Sequence, residues 1–372
     1  MPSRCSRLNQ DYQELLALQE QFSVELEQAT ATGDFTLLAL LKTEILEKKQ
    51  VFESQLNPFE TALKIGEQYE TQKAIYEKIG LLEKREGILG MEGIDGKWYT
   101  FPSLKEVNRH FYEQREMLDI KTDQGFIKLL IVPFGMSLEK FIVTMEKTIH
   151  SRNVEMEDPK NPGKMIQDTK NIRLFATKKK ATDPDERLYL IHGAVQWPKD
   201  SYLTADTDGT LVYFPVVFDT DPKIHQGKTK AELLKNTGQG FQLLLIEANP
   251  NIPSEGTDEI IGTKQPRKRL AAGDAAEVYL KILQTKPEYS HEEGLTLEAW
   301  MTQFLLHLEE TDQVIDDQYG NGKVNLNLGG WFPDSGKVAD GSWNRYFAEA
   351  FMDWDVPKDG SSHNGSRTAV RI

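Results

Sequence analysis

Two periodicities share this chain and divide it. From Leu8 to about Arg85 apolar residues return every three or four positions, with Pro58 as the only interior proline. That is the spacing of helices that each bury one stripe. Leu8, Tyr12, Leu15, Leu18, Phe22 and Leu26 make one stripe, Leu38, Leu41, Ile45, Phe52 and Leu56 a second, and Leu63, Ile65, Tyr69, Tyr76 and Ile79 a third. Ala31-Thr32-Gly33-Asp34 reads as a stop followed by an N-cap, and Asn57-Pro58 sets proline where a helix can begin. The pattern predicts three helices with Glu, Gln and Lys on their other faces. Such a solvated bundle or coiled coil over residues 1–88 suits spacing or self-association through the stripes, not catalysis. Glycines at 87, 90, 93 and 96 then interrupt the pattern. A boundary near residue 90 and a second domain over 89–372 follow.

In that second domain Lys97 to Pro102 reads as a short strand or turn, and Phe126 to Phe134 (FIKLLIVPF) as a buried strand. Ser137 caps a predicted helix from Leu138 to His150. Residues 151–187, with EDPKNPGK and TKKKATDPDER, are polar enough to predict a long loop or insertion. Strands are expected from Leu211 to Phe218, after an Asp208-Gly209 turn, and from Phe241 to Glu247. Helices are expected from Ala275 to Leu283 and, capped by Thr296, from Leu297 to Val314. Strand and turn residues dense in glycine follow Asn321. This order predicts an α+β fold with an antiparallel sheet, not a doubly wound one.

Composition narrows the function classes. A single cysteine, Cys5, forbids an internal disulfide and any Cys-based zinc site, so packing alone must hold the fold. A formal charge of −14 is the wrong sign for a chain that wraps phosphate backbones, so nucleic acid is not an expected partner. No window approaches the ~18–20 uncharged apolar residues of a membrane span, and the N-terminus has no apolar signal core. The expectation is a soluble, cytoplasmic protein, with surface display left to some other route.

Catalytic signatures are missing: there is no GxGxxG, GxxxxGK[ST], HExxH or GxSxG in its proper setting. His150, His192, His225, His291, His307 and His363 show no metal-ligand spacing. Glu309, Glu310, Asp312, Asp316 and Asp317 supply the hard oxygens calcium takes, yet Tyr319 breaks the EF-hand loop, and a solvated helix end is the better reading. Glu247-Ala248-Asn249-Pro250-Asn251 is only a broken version of the Glu-Pro-Asn sugar motif of lectins. Lys264, Arg267, Lys268 and Arg269 read as a solvated basic loop. No catalytic residue, cofactor or metal is expected. The alternative function, a hydrolase or transferase of unknown substrate, would need a cleft between the 151–187 excursion and the sheet.

The most informative stretch is 329–372. Trp331, Phe332, Trp343, Tyr346, Phe347, Phe351 and Trp354 fall within 24 residues. Two or three strands can turn only about half of these inward, and aromatics left outside among Asn, Ser, Asp and His have the composition of a recognition surface. Here the sequence resembles the variable proteins of diversity-generating retroelements, which carry a C-type lectin fold of the formylglycine-generating-enzyme type. Gly341-Ser342-Trp343 is similar to that family's GGSW strand. Asp355-Val356-Pro357 is similar to its penultimate turn, and Gly365 to Arg371 (GSRTAVR) to its terminal GxRxAVR. HLEETDQVIDD (307–317), NLNLGGWFPDSG (325–336), QGKTKAELL (226–234) and LLLIEANPNIP (243–253) extend the resemblance over about 90–372.

The resemblance implies a non-enzymatic binding protein. Its C-terminal codons, here about 338–368, would be rewritten by adenine-directed mutagenesis while the scaffold holds still. AAY codons can become Asn, Ser, Tyr, Phe, Asp, His or Gly, but not Trp, Met, Glu, Gln or Lys. Ser342, Asn344, Tyr346, Phe347, Asp353, Ser361, Ser362, His363 and Asn364 fall in the reachable set, whereas Trp343, Glu349, Met352 and Trp354 do not. Ser366, where lectin-like folds favour an apolar residue, is a further candidate for diversification. The reachable residues, with Trp354 added from the aromatic excess, are expected on one solvent-facing surface and more exposed than Trp331 and Trp343. Their partner would be a protein or cell-surface molecule. The enzymes of this fold use cysteines for chemistry, and Cys5 alone does not carry that activity over.

Overall fold

The structure, a computed structural model, describes residues 14, 17–26, 29–30, 35–56, 63–150, 154–157, 165–168, 188–191, 195–198, 203–320, 322–344 and 349–372. It contains helices and antiparallel sheets in one chain, the expected α+β class. Two compact units are formed, one from residues 1–67 and 104–115 and the other from 68–103 and 116–372. In the first, α1 (Thr36–Leu56) buries Leu38 and Leu41 on one stripe and leaves Leu37, Leu40 and Leu46 exposed. The helix α2 (Ile65–Lys78) begins in this unit, and α3 (Leu104–Glu113) buries Val107 and Phe111, four residues apart. The breaks at 31–34 and 57–58 lie outside the described residues.

The second unit starts with a small antiparallel sheet, β1 (Glu83–Arg85), β2 (Ile88–Glu92) and β3 (Trp98–Thr100), followed by α4 (Arg115–Asp123). No element is expected over 103–125, where the helices are short and mostly polar. Next come β4 (Phe126–Val132) and α5 (Leu138–His150), where Ser137 Oγ accepts from Lys140 N at 3.3 Å as its cap. Residues 151–187, expected as loop, contain an antiparallel hairpin of β5 (Val154–Glu157) and β6 (Met165–Asp168), each strand only four residues long. Beyond them run β7 (Leu188–Ile191), β8 (Val195–Pro198), β9 (Val212–Tyr213), α6 (Lys230–Thr237), β10 (Gln242–Glu247) and the short pair β11 (Ile260–Ile261) and β12 (Arg267–Lys268). Then follow α7 (Ala276–Thr285), β13 (Glu292–Gly294), α8 (Leu297–Thr311), β14 (Val324–Phe332), β15 (Lys337–Asn344), β16 (Glu349–Asp355), β17 (Asn364–Gly365) and β18 (Thr368–Arg371).

Two expected boundaries move inward for local reasons. The strand predicted over 211–218 pairs only at Val212 and Tyr213, because Phe214 takes a positive φ of 55° and turns the chain away. The helix predicted to Val314 ends at Thr311, where Asp312 takes φ 56° as its C-cap; at its start Thr296 accepts from Ala299 N as expected.

Two sheets organise the unit. One is antiparallel in the order β13-β18-β10-β4, so the last strand of the chain is internal: Leu245 pairs with Val370, and Val370 also pairs with Glu292. The free edge of β4 is covered by side chains of α2. Gln68 accepts from Leu129 N at 2.7 Å and donates to Ile127 O at 3.0 Å; Gln72 accepts from Ile131 N at 2.9 Å and donates to Leu129 O at 2.6 Å; Tyr76 Oη donates to Ile131 O at 2.6 Å. Three helical residues four apart thus stand in for a missing strand and block edge-to-edge pairing. The other sheet runs β17-β14-β15-β16-β8-β7 with β9 also on β14, parallel at β14/β17 and β16/β8 and antiparallel elsewhere. The almost wholly buried α8 carries Trp300 and Phe304 to Trp343 of β15, with Phe304 ring centroids 5.6 and 5.9 Å from the two indoles.

Removing Thr368–Ile372 takes out a strand with neighbours on both sides. The truncated chain is expected to lose its cooperative thermal transition in circular dichroism; a melt of unchanged midpoint would contradict this placement.

Candidate ligand-binding face

The hairpin of β15 and β16 sorts its residues by strand alternation. Ala339, Gly341 and Trp343 face the same side as their partners Trp354, Met352 and Ala350; Val338, Asp340, Ser342 and Asn344 face the other with Asp355, Asp353, Phe351 and Glu349. The first side is core: Ala339, Trp343, Ala350 and Met352 are fully buried. Gly341 is required there, since a Cβ would come within 2.4 Å of the Trp300 ring. Trp354 shares this side, half-buried and 5.7 Å from the Phe332 ring. It is therefore placed opposite Asp353 and not on one surface with it, a correction that follows from their adjacency in a strand.

The second side carries Ser342, Asn344 and Asp353 together, as the resemblance implies, but not all in solvent. Asp353 is half-buried, whereas Ser342 and Asn344 are each 2% exposed, no more open than Trp331. The expectation that every residue of the set is exposed is corrected at these positions. Alternation fixes the side on which a residue lies, not what covers it; at the near end of the same side Val338 and Leu326 are packed with Tyr279 and Leu283 of α7. Tyr346 and Phe347 lie outside the described residues.

The segment after β16 is tied to neighbouring elements by backbone bonds. Glu277 N donates to Pro357 O at 3.0 Å, Gly273 N to Asn364 O at 3.0 Å, and Val324 N to His363 O at 2.8 Å. Asn364 Nδ2 donates to Asp355 Oδ2. The loop is thereby fixed at both ends, with Ser362 and His363 exposed, Ser361 half-buried, and Asn364 buried by its own contacts. A Cβ on Gly360 would meet Gly273 O at 2.7 Å, and one on Gly365 would meet Ile252 Cγ2 at 2.5 Å. Ser366 is buried, and its hydroxyl donates to Leu326 O at 3.0 Å, a tie an apolar residue cannot make.

Arg367 of the terminal motif reaches inward. Its guanidinium donates to Asp316 Oδ2 and to Pro250 O, while Trp300 Nε1 donates to the same Asp316 oxygen at 2.8 Å. Burial pushes the Asp316 carboxyl up and Arg367 pulls against it. The acidic run is thus largely committed to ion pairs: Glu309 with Lys78 at 2.7 Å, Glu310 with Lys128 at 2.5 Å, and Asp316 with Arg367. Among the described residues no group of three or more His, Cys, Asp and Glu is set to hold a metal ion. Glu247 of the lectin-like pentapeptide accepts from Arg267 at 2.7 Å and Arg269 at 2.6 Å. Those two arginines, expected in a solvated loop, are 2% and 3% exposed. Their carboxylate partners Glu247 and Glu292 come from β10 and β13, distant in sequence, which composition does not reveal.

Asp340 lies in no sequence motif. Asp340 is 7% exposed, and burial first, then the neighbouring Asp353 and Asp355, push its carboxyl well above the usual range. Like charges directly opposite on two strands are unfavourable. A pocket of about 280 Å³, lined by Lys268, Gly273, Asp274, Tyr279 and Tyr289 among others, adjoins the 360–364 segment through Gly273. Its phenols are occupied: Tyr279 Oη donates to Ala271 O and Tyr289 Oη to Lys268 O, both at 2.6 Å. Set against known proteins, the chain matches no family model, no curated protein and no solved structure.

The Asp340 carboxyl titrates higher folded than unfolded, so between those two values the folded state binds the extra proton and stability falls as pH rises through the window. Asp340→Asn is expected to raise the urea midpoint at pH 7 and to leave it nearly unchanged at pH 3.5, near the unfolded value of about 3.9. An equal effect at both pH values would contradict the assignment.

Proposed function

We propose that this chain is a non-enzymatic ligand-binding protein, a variable protein of a diversity-generating retroelement. In this reading a C-type lectin-like scaffold holds an aromatic and polar face whose codons are the target of directed mutation. The observation that carries it is the division within β15 and β16. Gly341 and Trp343, the motif residues, pack against Trp300 and Phe304, while Ser342, Asn344 and Asp353, which AAY codons can reach, share the opposite side. Exposed Ser362 and His363 extend that set along the following loop. Such a division keeps the motif residues that hold the strands apart from the side proposed to change, where Asp353 and the exposed loop residues have the most room for substitution while Ser342 and Asn344 are buried.

Recognition would follow the logic of a paratope, with rings as anchors and Asn, Ser and Asp as adaptable hydrogen-bonding groups. The partner is a protein or cell-surface molecule. The apolar residues that α1 leaves exposed, Leu37, Leu40 and Leu46, lie outside its buried stripe; a second copy of the chain is their proposed cover. No described helix is long and apolar enough to cross a membrane, and a cytoplasmic location is part of the proposal.

Replacing Asp353, Ser361, Ser362 and His363 together by Ala is expected to cost within about 0.5 kcal/mol per site in a urea melt. It should change which probes the immobilised chain binds on an array of cell-surface glycans and protein ectodomains. The same array pattern for both chains, or collapse of the melt, would contradict the reading.

A further inference from the structure

Away from the candidate face the structure buries a reactive trio. Lys230, the first residue of α6, sets its ammonium 2.5 Å from Asp206 Oδ2 and 2.8 Å from Glu298 Oε1, and all three side chains have no solvent exposure. Asp206 lies in the single helical turn Ala205–Asp208, and Glu298 in the first turn of α8. The Phe134 and Tyr213 rings stand 5.5 and 5.8 Å from Nζ and shut out water. Tyr213 Oη donates to Glu298 Oε1 at 2.6 Å, Lys230 Nζ to Met136 O at 2.7 Å, and Leu138 N to Asp206 Oδ2 at 3.0 Å. Asp206 Oδ1 and Glu298 Oε2 have no hydrogen-bond partner.

As an ion cluster this arrangement is poor, with one cation for two carboxylates in a dry interior. As a reaction geometry it is good. Reaction wants atoms about 3–3.5 Å apart, and a carboxylate oxygen at 2.5 Å from the amine brings its carbon into that range. Burial also pushes the Asp206 carboxyl up, against the pull of Lys230, toward the neutral acid that an amine can attack.

We propose that Lys230 and Asp206 become joined by an intramolecular isopeptide bond, with Glu298 carrying the protons. Although burial alone would lower it, Glu298 and Asp206 hold Lys230 as ammonium, so Nζ must first give a proton to Glu298. The freed lone pair attacks Asp206 Cγ and forms the C–N bond. One carboxylate oxygen leaves with its bonding pair and takes up two of the three ammonium protons, one relayed by Glu298; the third stays on the amide nitrogen. The balance is ammonium plus carboxylate giving amide plus one water, with no oxidant, activated phosphate or metal. The bond joins positions 24 residues apart and ties the 205–208 turn to α6. Glu298 keeps the Tyr213 hydroxyl and gains the amide N–H in place of the ammonium.

Mass spectrometry of the denatured full chain tests this. The expected mass is one water below that of the sequence, and a tryptic digest should contain a branched peptide joining Lys230 to Asp206, with no cleavage after Lys230. Glu298→Gln and Lys230→Met chains should each carry the full mass of their sequences, whether or not they fold well. Full mass in a wild-type chain that melts cooperatively would overturn the proposal. So would a missing water that maps to a succinimide at an Asp-Gly step such as Asp208-Gly209. A branched peptide in Glu298→Gln would overturn the role of Glu298.

Discussion

Arg367 carries its charge into the interior, and Asp316 is there to meet it. The pair is buried on both sides, so removal of either partner leaves an uncompensated charge, a loss on the order of 3–5 kcal/mol. Three parts of the fold converge on it. Trp300 of α8 donates to the same carboxylate, Asp316 O accepts from Trp343 N of β15 at 2.8 Å, and Asn325 Oδ1 of β14 accepts from Arg367 N at 2.9 Å. The ion pair therefore sets the terminal motif, the long buried helix and the candidate binding hairpin against one another. A side chain directly before the final strand can thus hold a hairpin made some twenty residues earlier.

The final strand is held from its other side by a second ionic network. Thr368 Oγ1 donates to Glu292 Oε2 at 2.7 Å, and that carboxylate also receives Arg267 and Lys121. Arg267 is further enclosed by the Phe126 and Tyr289 rings, at 4.9 and 5.1 Å. With α2 shielding the β4 edge, the antiparallel sheet has little freedom to slip in register. Order of this kind in the scaffold is what the proposed changeable face, on the other sheet, would require.

Much of the fold is legible where a single local rule decides. FIKLLIV and QLLLIE read as buried strands because apolar residues dominate both, with Lys128 as the one polar residue inside either run, and Thr296 reads as a cap because its hydroxyl has one good use. Legibility fails where the deciding partner is remote. Arg267 and Arg269 look solvated until β10 and β13 bring Glu247 and Glu292 to them. The strand at Val212 stops short because Phe214 adopts a left-handed backbone that no propensity scale foresees. Within the candidate face, alternation assigns Ser342, Asn344 and Asp353 to one side, yet the burial of Ser342 and Asn344 depends on neighbours the pattern does not name. The like-charged trio at Asp340 is spread over two strands and needs the register before it can be seen.

The central claim is that one side of this hairpin and the loop after it are rewritten while the packed side is not. Deep sequencing of the codons for residues 338–368 across a natural population tests it most directly. The account predicts that substitutions arise at adenines and concentrate in the codons of Ser342, Asn344, Asp353, Ser361, Ser362 and His363, while those of Gly341, Trp343, Gly365 and Arg367 stay unchanged. Substitutions spread evenly over both sets, or without bias toward adenine, would contradict it.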